Sequence, residues 1–420
     1  MLRIPVESRA SRAVSAWVEV DLGAIAHNTA VFRAVLPAST RLLAVVKSDG
    51  YGHGMLRVAR TALQFGAEEL VVASVEEGAS LRASGVHAPI LIAGPVAPEQ
   101  AAAVVQHGLV VSLGNLELAS ALARATRRFL PVQVEVDTGM TRHGVAPQEL
   151  EGFIRQLEER GKLAIAGLYT HFSGLGDEDL EGMRSQNRRF VDCIDSIRSL
   201  RGVRRHACNT VGAMLLPAAH HDAVRIGGGI YGFDPRRLAS GGLRGSGGLP
   251  TCPWIAQGGL RPALSLKAKV VGLRDAEAGD RVGYGGSFVC QRRTRLALLP
   301  IGYGDGLVRD SWRGAEVLLR GRRAPIVGAV SMNQAVVDVT ELPPIVLGEE
   351  VVLLGAMGDE RVWAEERAGG HGCAYEVTSV LQARLPRVYF GALGAGAAKD
   401  GPAAWDRSSQ RPRGPSFGPT

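Results

Sequence analysis

Residues Leu42–Gly54 read LLAVVKSDGYGHG. The first five, Leu42 to Val46, are apolar without interruption, as in a strand buried on both faces of a parallel sheet. Lys47 follows at once, then a turn with glycine at positions 50, 52 and 54. Taken alone, a lysine at a strand end reaches back to water and glycines there make a turn. The stretch gains weight because its plan recurs: an apolar run, a polar residue at its end, a loop, a helix.

Working outward, LLAVVK is followed by the runs ELVVAS, PILIAG, GLVVSL, PVQVEVD, AIAGLYTHF, RHACNT and AVRIGGGIYG. Helical stretches such as LELASALARATRR and APQELEGFIRQLEERG separate them. Eight strands alternating with helices over about 250 residues predict an α/β fold, a (β/α)8 barrel. A doubly wound open sheet is the alternative, but no dinucleotide-type turn follows the first strand. Upstream, AWVEVD reads as a short strand with Asp21 capping the next helix. Around residues 234–261 the composition turns to Gly, Pro and Ser, and beyond it short strands predict a mainly-β second domain. The expected organisation is a flexible leader over 1–15, a barrel over 16–255 ending in a linker at about 235–261, a β domain over 262–395 and a disordered tail over 396–420.

A chain of 420 residues suits two domains. Hydrophobic content of 46% and charged content of 21% are those of a globular protein. The net charge of +7 is mild for this length and no basic helix occurs, so nucleic-acid binding has no support. Cys193, Cys208, Cys252, Cys290 and Cys373 are too widely spaced for a zinc site or a disulfide framework, which fits a reducing compartment. The N-terminus lacks the apolar core of a secretory signal and no run approaches a membrane span. The expected location is cytoplasmic, with no membrane partner.

Barrel enzymes place their chemistry at the C-terminal ends of the strands. Lys47 ends the first barrel strand. In PVQVEVDTGMTRHG, Val132, Val134 and Val136 alternate with Gln133, Glu135 and Asp137, which turns the polar set toward the lumen, and Arg142 follows on the loop. LYTHF places His171, HACNT places Asn209 and Thr210, and VRIGGG places Arg225 ahead of Gly227 and Gly228. Singly, each has an ordinary reading: an ion pair, a core histidine, a turn. Together they converge on one end of the barrel. Backbone N–H groups in a glycine-rich turn after the last strand hold phosphate. An amine beside them points to a lysine that carries pyridoxal 5'-phosphate (PLP).

In order along the chain, AVVKSDGYGHG, EVDTGMTRHG, GLYTHFS, HACNTVGAML, VRIGGGIYG, GDRVGYGGSF, PIGYGDG, VGAVSMNQAVVDVT and YEVTSVLQARLPRVYF resemble the motifs of the alanine racemase family of fold-type III PLP enzymes. The resemblance runs from about Val18 to Phe390. It implies that Lys47 carries PLP, that Tyr51, Asn209, Thr210 and the backbone of Gly227 and Gly228 hold the cofactor, and that Arg225, oriented by His206, faces the pyridine nitrogen. It implies further that Arg142 and the backbone at Met332 bind the substrate carboxylate, that His171 lies against the cofactor and bonds to Tyr284, and that Tyr303 lines the entry. Lys47 and Tyr284 would be the two acid–base groups on opposite faces of Cα, with Tyr284 entering from the partner of a homodimer. The substrate implied is a small amino acid, alanine first, with D-alanine feeding peptidoglycan.

Glu135 stands where many relatives carry a carbamylated lysine, so the anion beside the arginine is expected to be built in. Thr210 replaces a serine, and Ala383 sits where some relatives have a phosphate-contacting tyrosine. Asn333 replaces an entrance aspartate and His143 an apolar residue, which leaves a broader racemase acting on Ser, Lys or Arg as an alternative. An amino-acid decarboxylase on the same two domains is disfavoured by the tyrosine in VGYGGSF, and a binding-only PLP protein by the β domain.

Overall fold

The computed structural model describes residues 14–174, 179–234, 258–368 and 373–391. The expected leader up to residue 13, linker residues 235–257 and the expected tail lie outside the described residues.

The first strand, β1 (Ala16–Asp21), leads into a helix over Leu22–Val35 that Asp21 caps by accepting the Ala24 N–H at 3.1 Å. Eight parallel strands then close a barrel: β2 (Arg41–Val45), β3 (Glu69–Val72), β4 (Ile90–Ile92), β5 (Val110–Leu113), β6 (Leu130–Glu135), β7 (Leu163–Tyr169), β8 (Arg205–His206) and β9 (Ala223–Ile226). Closure is made by β2 against β9, with Leu43 opposite Arg225 and Ala44 opposite Ile226. These are the eight runs read from the sequence.

Period-two alternation sorts the side chains. Leu42, Ala44 and Val46 join the large outer core beneath the helices, as do Val132, Val134 and Val136. Leu43, Val45, Val71, Leu91 and Ala223 form a small apolar plug inside the barrel. Above the plug the lumen turns polar.

The second domain is a largely antiparallel sheet whose buried apolar face forms its own core. One boundary differs from expectation. β1 pairs antiparallel with β10 (Leu264–Lys269) and parallel with the last strand, Arg387–Phe390, so residues 16–21 belong to the β domain's sheet and not to the barrel. Val18 and Val20 are buried in that second core, a placement that short-range periodicity does not encode. Among the described residues, the β domain's sheet thus takes one strand from ahead of the barrel and the others from after it. The helix Ala374–Ser379 of the β domain packs directly on the loop after β2.

Candidate active site

The loop after β2 is conformationally unusual. Ser48, Asp49, Gly50 and Tyr51 all lie in the left-handed region, with φ of 54°, 51°, 61° and 54°. For the three residues with a Cβ, this costs about 1–2 kcal/mol each. Packing and hydrogen bonds hold it: the Ser48 N–H donates to Glu77 Oε1 at 2.6 Å, and the Met55 N–H to Asp49 Oδ1 at 2.9 Å. Gly52 closes the loop against the β domain, where a Cβ would lie 2.0 Å from the Thr378 carbonyl oxygen. Strain of this kind collects where a side chain must be aimed.

Lys47 precedes this turn and is half-buried. Burial lowers its pKa first and the Arg142 guanidinium adds to it, with Glu77 opposing. The amine is therefore freer of its proton than an ordinary lysine. Tyr51 stacks on Tyr231 with ring centroids 4.8 Å apart, and the Tyr231 hydroxyl donates to the Val45 carbonyl at 2.9 Å.

Arg225, on β9, is the hub of the polar lumen. Its Nη1 donates to His206 Nδ1 at 2.6 Å, and its Nη2 to the carbonyls of Thr170 and Ala207 at 2.8 and 3.0 Å. The guanidinium lies over the Tyr169 ring, 4.8 Å from its centroid. His206 Nε2 faces Gln133 Oε1 at 2.7 Å. Because that oxygen only accepts, Nε2 carries the proton and Nδ1 offers its lone pair to Arg225. Burial and the neighbouring arginine keep His206 neutral, its pKa well below the ordinary value. His171 accepts from Arg225 Nη2 at 3.3 Å. Burial, then Arg225, Arg142 and Lys47, push its pKa down to about 3.

Glu135 is buried, but its partners are not those expected. Its Oε2 accepts from the Tyr169 hydroxyl at 2.8 Å and from His143 Nδ1 at 2.9 Å, while Arg142 is exposed and makes no hydrogen bond to it. Tyr169 also reaches Ser112 Oγ at 2.7 Å. The carboxylate therefore steadies Tyr169 beneath Arg225 instead of bracing Arg142. His143, read as loosening substrate choice, is turned onto Glu135. Arg142 is carried by a loop that Asp137 shapes: its Oδ1 accepts the N–H groups of Gly139, Met140 and Thr141 at 3.0, 2.9 and 3.0 Å. Burial opposes them, yet these N–H groups hold the Asp137 carboxyl below its usual range.

The glycine turn after β9 is built as a cradle. A Cβ on Gly227 would lie 2.6 Å from the Tyr51 hydroxyl, so that phenol reaches the turn only because the position is glycine. Thr210 Oγ1 accepts from the N–H of Gly227 at 3.1 Å and of Gly229 at 3.2 Å, which leaves the Gly228 N–H and the threonine hydroxyl proton to face a ligand. The Asn209 side chain is spent on structure, capping the helix Thr210–Leu215 through the Gly212 N–H at 2.9 Å.

Lys47, Tyr51, Arg142, His171, Thr210, Arg225, Gly227 and Gly228 therefore share the mouth of the barrel. Tyr284, Tyr303, Met332 and Asn333 do not join them. They lie on the β domain, where Tyr284 is 75% and Met332 57% exposed. Among the described residues, no hydrogen bond, ion pair or ring contact links these four to Lys47, Tyr51, His171 or Arg225. Sequence reasoning passed over Gln133 and Tyr169 as working parts, although the alternation in β6 and the tyrosine two residues before His171 marked them. It also passed over Tyr375, although that residue opens the motif YEVTSVLQARLPRVYF.

Comparison with known proteins agrees. Residues 20–235 match the model of the alanine racemase N-terminal domain and residues 263–389 that of the alanine racemase C-terminal domain. The alanine racemase of Symbiobacterium thermophilum is 40% identical over 382 residues, covering 89% of this chain and 97% of that protein. That of Nostoc is 36% identical over 383 residues, covering 89% and 95%. The crystal structure of alanine racemase from Bacillus anthracis with bound L-Ala-P superposes with a TM-score of 0.81 at 31% identity, covering 89% of this chain and 95% of that one. With both domain models matched and these relatives aligned nearly end to end, the chain belongs to the alanine racemase family, a family of isomerases.

Proposed function

We propose that this chain interconverts L- and D-alanine with PLP, moving a proton off one face of Cα and returning one to the other. The observation that carries the reading is the grouping at one barrel end of a lysine held below its ordinary pKa and a glycine cradle faced by hydroxyl donors. The residues fit the cofactor: Lys47 to attach it, Tyr51, Thr210 and the Gly228 N–H to hold a phosphate, and Arg225 beneath. Within the Arg225 guanidinium, Nε is the nitrogen to which the described residues offer no acceptor, the donor available to a ring nitrogen. When bound, PLP supplies an electron sink that makes the Cα proton of an attached amino acid removable.

Lys47, once free, is the base on one face, since its amine gives up its own proton more readily than an ordinary lysine. Arg225 does not pass a proton on, because a guanidinium keeps its charge even when burial lowers its pKa. It stabilises without protonating, which limits side reactions that need a stronger sink. His171, kept neutral by burial and then by three cations, is able to accept a hydrogen bond or donate one from Nε2. The second face needs an acid, and among the described residues no hydrogen bond or ring contact ties Tyr284 of the same chain to this barrel mouth. Tyr284 of the partner subunit supplies it: the phenol is exposed here and belongs, by motif, to the same reaction. The active unit is accordingly a homodimer with shared sites. Alanine is favoured over larger substrates because His143, one of the two departures that suggested breadth, faces Glu135 and not the entrance. In a bacterium the D-alanine formed would serve peptidoglycan.

The test is chiral product analysis in D2O with PLP and L-Ala, L-Ser, L-Lys or L-Arg. D-Ala carrying deuterium at Cα, with little turnover of the others, is the expected result. Bound PLP without inversion of any amino acid would overturn the reading.

A further inference from the structure

Beyond β7 the chain leaves the sheet, and the carbonyls of three successive residues are each answered by a side chain. Thr170 takes Arg225 Nη2 at 2.8 Å, His171 takes Gln186 Nε2 at 3.0 Å and Phe172 takes Asn209 Nδ2 at 3.4 Å. Gln186 also works from its other end. Its Oε1 accepts the Ser173 N–H at 2.9 Å and the Ser173 hydroxyl at 3.1 Å. One carboxamide therefore brackets Phe172, holding the backbone on both sides of it. A carbonyl only accepts and an N–H only donates, so the amide has a single orientation here, and a side chain that can do only one of the two could not replace it. Phe172 itself is buried against Gly212, where a Cβ would lie 2.7 Å from its ring.

Gln186 sits on the helix Leu180–Asp195, whose buried residues are Met183, Gln186, Phe190 and Ile194. It is the polar member of that stripe and only 3% exposed. An amide so placed is unfavourable unless both its ends are bonded. A third, longer contact runs from Nε2 to Thr138 Oγ1 at 3.5 Å, just beyond β6, where the Thr138 and Thr170 hydroxyls meet at 2.6 Å.

We propose that Gln186 is a positioning residue for the racemisation: by bracketing Phe172 it fixes the turn that carries His171, and so holds the imidazole 3.3 Å from Arg225 Nη2 and toward the cofactor. The inference rests on the racemase reading above. Gln186 acts only through His171, from a helix on the outside of the barrel, and the bond it makes to the His171 carbonyl leaves the ring free for its own partners.

Gln186→Met keeps the length of the side chain and removes both polar ends, whereas Gln186→Asn keeps the amide and withdraws it by a methylene. In the PLP-loaded full chain, Gln186→Met is expected to lower kcat for alanine by about tenfold to a hundredfold, the cost of displacing a reacting group by up to about 1 Å, with KM within about twofold of wild type. Gln186→Asn should lose less in the same direction, and it carries the test if the Met variant does not fold. In a His171→Leu background, Gln186→Met should cost little more, because its effect passes through the imidazole. NMR of the ring nitrogens should show the His171 resonances moving in Gln186→Met. Unchanged kcat in the folded variants, additive losses in the double variant, or unmoved His171 resonances overturn the proposal while the racemase reading stands. A wild-type protein that inverts no amino acid overturns both.

Discussion

At the barrel mouth the buried charges of Arg225 and Glu135 are answered from within the chain. Arg225 spends its Nη protons on His206, Thr170 and Ala207, and Glu135 holds Tyr169 and His143. On the β domain, Tyr284, Met332 and Tyr303 stand at 75%, 57% and 38% exposure. One region is closed on itself and the other is exposed. The closed half can bind a cofactor and tune a base, since both tasks need low dielectric and fixed dipoles. On the reading proposed above, the open half supplies its acid to a site on another copy.

The sharpest way to break this contrast is to mix Lys47→Ala with Tyr284→Phe. Each alone should lose activity by roughly two to four orders of magnitude or more. If sites are shared across a two-fold axis, the mixed dimer has one intact site, and random pairing restores about a quarter of wild-type activity. No recovery would place Tyr284 in its own chain's site.

Within the closed half, Arg225→Met should leave His206 and two carbonyls without their donor and cost about 3–5 kcal/mol of stability. Urea unfolding would show it, and an unchanged midpoint would mean the hub is not a hub. Glu135→Leu strands His143 and removes one Tyr169 partner, for a loss of about 1–3 kcal/mol. PLP binding should weaken less than stability, because Glu135 acts through Tyr169.

The smallest effect is pH-dependent. His53 is fully buried, and burial pushes its pKa down to about 4 from an ordinary 6.5. Below pH 6.5 the unfolded chain binds a proton that the folded chain refuses until about pH 4. Stability is therefore whole above pH 6.5 and falls on acidification by about 1.4 kcal/mol per pH unit for such a histidine. His206 contributes in the same direction. A Tm flat between pH 7 and pH 5 would contradict the neutral imidazoles.

Much of this was legible in order along the chain. Alternation in PVQVEVD and the apolar run before Lys47 located barrel strands, because pleat geometry writes burial into neighbouring positions. The candidate residues at the strand ends were found the same way, since a strand's end is a local fact. The partner of Glu135 was not legible: Arg142 and His143 are adjacent in sequence, and only the course of their loop decides which faces the carboxylate. Nor was the left-handed turn at Ser48–Tyr51, which long-range packing enforces against the preference of three of its residues.

By itself, then, the sequence determined the eight-stranded barrel, its polar end and the family, because these rest on short-range periodicity and contiguous motifs. Tertiary structure alone decided that β1 crosses into the second domain's sheet, that Tyr375 meets Gly228 from 147 positions away in the chain, and that Tyr284 faces outward. Each of these contacts joins segments distant in sequence, and their pairing is selected by how two cores close on one another, which no local pattern records.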